Sequence, residues 1–185
     1  MKASGTPETV VANLPAGYGH STRDIVFTPD GKRMLVSVGS VGNAGEGLGE
    51  PPGGLAAWSG AHALGAAWGE ETNRAAVLAF DPDGKNQTLY ATGIRNCVGL
   101  AIQPATGTPW CSTNERDGLG DNLVPDYVTS VKEGGFYGWP WYYIGDNQDT
   151  RHDGARPDLK DKITIPDVLL QAHSASLGLT FYDGS

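Results

Sequence analysis

The chain has 185 residues and a formal net charge of −8, and that length ordinarily suffices for one domain with a sizeable core. The acidic balance argues against nucleic-acid or anionic-membrane partners, which require a basic surface, and no apolar run approaches the length that crosses a bilayer. Glycine (27 residues) and proline (12) are heavily used, which favours tight turns over long helices, while aromatic and β-branched residues between those turns speak against disorder.

The opening MKASGTPETVV has one lysine and no apolar stretch behind it, so it does not read as a signal peptide. The first structured phrase is GHSTR (19–23) followed by DIVFTPDGKRMLVSVGS. Asp30-Gly31 is a turn signal between two apolar runs, and it predicts a hairpin over 24–28 and 34–38. The phrase returns as VLAFDPDGKNQTLYAT (77–92), more loosely as LAIQPATGTPWCST (100–113), and begins again in LGLTFYDGS at the end of the chain. Such recurrence marks a repeat architecture, and short antiparallel strands without intervening helices point to β-propeller blades. A β-sandwich with similar turns is the alternative. The expected fold is therefore all-β and a partial β-propeller. A blade takes roughly 40–50 residues and closure needs at least four, so 1–185 reads as part of one propeller domain, about two and a half blades with long loops.

Residues 41–74 are first glycine- and proline-rich, then alanine-rich with Trp58 and Trp68. They are expected to form a long loop with a short helix within 55–71, more plausible as a binding-site cover than as a tether. The runs 98–102 and 109–113 predict a central hairpin turning at 105–107, with Val98, Leu100 and Ile102 on one buried face. Arg95 and Asn96 precede its first strand and residues 114–117 follow its second, so the hairpin gathers these polar groups on one rim. A further strand is expected within 125–135. Six aromatics in residues 136–143 are either a plug closing the core or a stacking wall for a ring. Within 136–162 this aromatic loop passes into a charged, exposed stretch from 151, and strand character returns over 163–172.

His20 sits at a strand start, as a general base or a hydrogen-bonded structural residue. The other histidines (62, 152, 173) show no zinc spacing, and the absence of CxxCH excludes a c-type haem on this segment. Arg95-Asn96 pairs a planar cation with an amide, which suits a multi-carboxylate or quinone ligand. A salt bridge from Arg95 to Glu115 or Asp117 would explain the same residue. Glu115, Asp117 and Asp121 offer hard oxygen donors for Ca²⁺ without EF-hand spacing, or they are solvated acids. Cys97 and Cys111 fall on neighbouring strands, as a disulfide formed in an oxidising compartment or as two buried thiols. From the residues alone, a dehydrogenase, a calcium-dependent propeller lactonase and a non-catalytic binding module all remain open.

GHSTRDIVFTPDGKRMLVSVGSVGN, ATGIRNCVGLAIQP, NERDGLGDNLVPDY and GGFYGWPW together resemble the soluble quinoprotein glucose/sorbosone dehydrogenase family, in particular its L-sorbosone dehydrogenase branch. The resemblance implies a six-bladed propeller binding pyrroloquinoline quinone (PQQ) with Ca²⁺, and oxidation of a sugar or sugar-derived aldehyde by hydride transfer to the quinone. It implies His20 as the base, and Arg95 and Asn96 with His173 and Arg23 as cofactor contacts. Ca²⁺ maps onto Asp117 and Gly118, although the Gly-Pro of the family is missing there. A cytochrome or the quinone pool is implied as external electron acceptor, and a periplasmic or secreted location. Further cationic contacts to PQQ belong to later blades, so this segment alone is expected to be inactive.

Overall fold

The computed structural model of the chain describes residues 5–21, 23–182 and 184. Strand β1 (Ile25–Phe27) turns into β2 (Met34–Val38) where Gly31, at φ 66°, donates its N–H to Thr28 O and the Asp30 carboxylate accepts from Thr28 Oγ1 and Lys32 N. The repeat of the phrase repeats the turn. Gly84 donates to Asp81 O between β3 (Ala76–Phe80) and β4 (Thr88–Thr92). A glycine is what each turn requires, since positive φ carries a Cβ penalty for other residues.

These strands make an antiparallel meander, β1-β2-β3-β4, extended by the short β8 (Gly135–Phe136), which pairs parallel to β4. The second sheet is β5 (Cys97–Ile102), β6 (Pro109–Thr113), β7 (Pro125–Ser130) and β11 (Val168–Ala172), antiparallel and in that spatial order. A two-stranded ribbon, β9 (Tyr142–Tyr143) with β10 (Asn147–Gln148), lies between β8 and β11 in sequence. The only α-helix among the described residues is α1 (Leu55–Ala61).

Every residue of β2 and β3 is buried, and all but Ser37, whose Oγ accepts from Asp24 N, are apolar, as burial on both faces requires. One face of this sheet meets the second sheet through Leu35, Val77, Ala91, Cys97, Leu100 and Cys111. The other face packs Met34, Val36, Leu78 and Phe80 against Val11 and Leu14. A separate aromatic cluster joins Trp58 and Trp68 of the long loop to Phe136, Trp141, Tyr142 and Leu159. The 136–143 segment is thus mostly core, with Phe136, Tyr137, Trp139, Trp141 and Tyr142 all buried.

Three expectations need correction. A bulge between Cys97 and Gly99 shifts the β5 register, so Leu100 joins Cys97 in the core while Val98 and Ile102 are only half-buried. Strand structure begins at Val168 rather than 163, Ile163 making one bridge to Phe136. Residues 177–182 form no strand, so the half-blade expected there is not built; Asp183 and Ser185 lie outside the described residues. A lone strand leaves its backbone groups unpaired. The segment instead crosses β5 at Gly99, where a Cβ would stand 2.6 Å from Leu179 N.

Candidate functional site

In the two meanders, the start of β1, the ends of β2, β4, β6 and β11 and the starts of β3, β5 and β7 share one rim. At that rim His20, Arg95, Asn96, Asn114, Asp117 and His173 line a single cavity of about 280 Å³, together with Glu115 and Asp126. Residues up to 153 positions apart in sequence (His20 and His173) thus face a shared volume because the strands return to the same edge.

His20 is held from the 40–43 turn that follows β2. Its backbone N–H and its Nδ1 both reach Ser40 O, at 3.1 and 2.9 Å. A carbonyl only accepts, so Nδ1 carries the proton and Nε2 keeps its lone pair. Ser40 Oγ donates its own proton to Gly42 O at 2.7 Å and lies 3.2 Å from Nδ1. Burial lowers the His20 pKa below its ordinary 6.5; the Ser40 bond opposes this and the charges of Arg95, Arg74 and Arg23 add to it. The imidazole is therefore neutral near pH 7. Gly39 makes the packing possible, since a Cβ there would meet Asn96 Oδ1 at 2.4 Å and His20 Cβ at 2.5 Å.

Arg95 is 7 % exposed and braced on three sides. Nε donates to Asn43 O, Nη2 to Asn43 Oδ1, and Nη1 to the carbonyls of Asn114 and Glu115. These partners are carbonyl and amide oxygens, so the salt bridge to Glu115 or Asp117 is not how Arg95 is held. Burial lowers its pKa from the ordinary 12.5, while the carboxylates of Glu115, Asp117 and Asp126 act on its charge through space. Asn96 lies beside it with Oδ1 buried and without a hydrogen-bond partner among the described residues, as is Glu115 Oε1. Asp126 is consumed structurally: it accepts from Glu115 N, Ala175 N and Ser174 Oγ, tying the chain after β11 to the end of β6.

His173 stands at the cavity edge with Nδ1 2.9 Å from Asp117 Oδ1 and Nε2 3.0 Å from Gly120 O. Both neighbours are acceptors, and the carbonyl of Gly120 and the carboxylate of Asp117 raise its pKa. Arg23 is not brought into the cavity. Its guanidinium donates to His20 O at 2.7 Å and Pro15 O at 2.9 Å, bracing the loop that carries the imidazole.

Ca²⁺ at Asp117 and Gly118 does not fit this geometry. The Asp117 carbonyl already accepts from Asn43 Nδ2 and from Arg151 Nη1, each at 2.9 Å, which places a cation's worth of charge where the metal would sit. The Gly118 Cβ position is 3.4 Å from the same Arg151 nitrogen. The described residues contain no group of three or more His, Cys, Asp or Glu side chains able to hold a metal ion.

Sequence reasoning missed Ser40, Asn43 and Glu71. Their side chains act on backbone groups and on partners 20 to 74 residues away, and a glycine-rich loop gives no periodicity from which such contacts could be read. Cys97 and Cys111 form a disulfide with Cα atoms 5.7 Å apart, which settles the choice left open by their spacing.

Two sequential, mainly antiparallel sheets meeting at a polar rim cavity place the chain in the all-β class. More narrowly, it belongs to the Glucose / Sorbosone dehydrogenase family, whose model matches residues 6–185. Its fold is similar to that of a Trichoderma reesei carbohydrate-active enzyme of family AA12, at 19% identity and TM-score 0.66 over 92% of this chain and 48% of that one. It is likewise similar to the PQQ domain of a Coprinopsis cinerea pyranose dehydrogenase, at 20% identity and TM-score 0.64, covering 91% and 47%. The soluble aldose sugar dehydrogenase of Escherichia coli follows at 18% identity and TM-score 0.56, covering 87% and 43%. An uncharacterized protein of Borreliella burgdorferi is 36% identical over 115 residues, 60% of this chain and 29% of that protein. The chain thus spans less than half the length of each of these relatives.

Proposed function

We propose that the protein containing this segment oxidises a sugar or sugar-derived aldehyde, with PQQ as hydride acceptor and His20 as general base. The observation that carries the reading is the Nδ1–Ser40 bond of His20, which leaves a neutral, basic Nε2 at a cavity shared with Arg95 and Asn96. The cavity's residues fit an anionic quinone on this side. Arg95 offers a buried positive charge, and Asn96 lines the same cavity beside it, with an amide N–H₂ that can donate to an acceptor. Bound there, PQQ would supply a two-electron acceptor for hydride from the sugar carbon. His20 Nε2 would take the proton of the substrate hydroxyl, which for an aldehyde is that of its hydrate formed with water. Arg95 and Asn96 would orient the acceptor, and the Arg95 charge would favour negative charge there.

Two wider features support the reading. The half-exposed apolar residues Ile25 and Phe27 on β1, and Val168 and Leu169 on β11, are surfaces that neighbouring blades of a longer propeller would bury. The Cys97–Cys111 disulfide favours a periplasmic or secreted location. Electrons would leave to a cytochrome or to the quinone pool. No described helix is long and apolar enough to cross a membrane.

The test is reconstitution of the full-length protein with PQQ, with and without Ca²⁺, followed by dye reduction with glucose, other aldoses and sorbosone. PQQ-dependent reduction is expected. Hydrolysis of lactones without any dye reduction would replace this reading with a hydrolase.

A further inference from the structure

The long loop over 41–74 ends in a 3₁₀ turn, Gly69–Glu71, whose last side chain points back to the loop's own beginning. Glu71 is 4 % exposed. Its Oε1 accepts from Val41 N at 3.0 Å and Gly42 N at 2.8 Å, and its Oε2 accepts from Val41 N at 2.9 Å. The two N–H groups belong to the 40–43 turn, and a buried carboxylate bonded to backbone N–H groups makes strong, charge-assisted contacts.

That turn is the common support of the cavity's polar groups. Ser40 O fixes the His20 ring, and Ser40 N donates to Arg95 O at 2.8 Å. Asn43 O accepts from Arg95 Nε and from Trp139 Nε1. The Asn43 side chain bonds Arg95 Nη2 and both the N–H and the carbonyl of Asp117. The turn is seated by close approach on its other side too: a Cβ on Gly19 would lie 2.3 Å from Val41 O. Without the carboxylate, the N–H groups of Val41 and Gly42 lose their acceptor, and the turn loses its hold beside the residue that sets the imidazole tautomer.

We propose that Glu71 is a positioning residue, clamping the 40–43 turn so that His20 presents an unprotonated Nε2 to the cavity and Arg95 keeps its orientation. The mechanistic consequence rests on His20 acting as the base; the geometric claim does not. The inserted loop thereby serves the site from behind, closing on itself through Glu71 rather than reaching over the cavity.

The test is ¹⁵N NMR of histidine-labelled full-length protein, with the His20 ring signals assigned through His20→Gln. In the unsubstituted protein the shifts should report Nδ1–H and a bare Nε2. In Glu71→Gln, which offers one acceptor oxygen and an N–H₂ group facing two donors, they should move to a mixture of tautomers. Glu71→Asp keeps the charge, reaches the turn less well, and should fall between. In the PQQ-loaded protein kcat should drop by about 10²-fold in Glu71→Gln, the scale of a small displacement of a reacting group, with KM little changed. Unaltered His20 shifts in a folded Glu71→Gln protein would overturn the proposal. So would an Nε2–H tautomer in the unsubstituted protein, or loss of folding in both variants, which would make Glu71 a general stability residue. A tautomer shift in a protein that never oxidises sugars would keep Glu71 in this role and remove the dehydrogenase reading instead.

Discussion

A neutral imidazole works as a base only when its outward nitrogen is the unprotonated one, and in this protein a single carbonyl, Ser40 O, makes that choice. Replacing His20 by Gln keeps a polar side chain of similar reach but removes the base. Turnover of the PQQ-loaded full-length enzyme is expected to fall roughly 10²–10⁴-fold, while PQQ retention, read from its absorbance after gel filtration, stays the same. Unchanged turnover would take His20 out of the chemistry. The sign of the pH dependence follows from the surroundings of the ring. Burial lowers its pKa first, and Arg95, Arg74 and Arg23 add to that, so the accepting form persists below the ordinary 6.5. The acid limb of kcat/KM, which reports the free enzyme's base, should accordingly lie below 6.5; a limb above that value would mean another group is titrating.

At the scale of an element, the central hairpin is cross-linked where it meets the core. Cys97 and Cys111 are both buried and 14 positions apart, and closing a loop of that length is worth about 3 kcal/mol in the chain-entropy model. Changing both to Ala should lower unfolding stability of the full-length protein by about that amount in a urea titration, and a loss well under 1 kcal/mol would show that the loop is already ordered in the unfolded chain. The hairpin also shows what sequence can and cannot convey. Asp30-Gly31 and Asp83-Gly84 announce their turns because the chemistry is local: a glycine at positive φ and a short acid bonding its own turn. The convergence of Arg95, Asn96 and Asp117 was likewise legible, following from strand pairing. The bulge at Val98 was not, because Val98, Leu100 and Ile102 alternate in sequence whether or not the ladder slips. Nor was the role of Arg23 legible, since proximity to His20 in sequence does not say whether a guanidinium faces the cavity or the loop behind it.

Across the whole molecule, Arg116 is a buried side chain that joins the cavity to the aromatic cluster. Its guanidinium is fully buried; it donates to Glu115 Oε2 and Asp149 Oδ2 and to the carbonyls of Pro140 and Tyr142. It lies between the exit of β6, which lines the cavity, and the segment whose Trp141 and Tyr142 pack with Trp58 and Trp68. Removing it by Arg116→Met would leave two carboxylates and two carbonyls buried without that partner, a change that typically costs about 3–5 kcal/mol. Arg116→Lys keeps the charge but cannot reproduce the planar fork and should lose less; a loss below about 1 kcal/mol in the Met variant would mean that water reaches the network. Acid should open the same joint. Burial raises the Asp149 pKa, but its bonds to Arg151 and the charges of Arg116 and Arg151 outweigh this and leave it below its ordinary 3.8. A depressed carboxylate contributes stability above its unfolded pKa and loses it as pH falls through the folded one. Tryptophan fluorescence should therefore stay level as pH falls towards 3.8 and change only below it, and Asp149→Asn should abolish that acid step; a transition centred near pH 5 would assign the weak point to a different carboxylate.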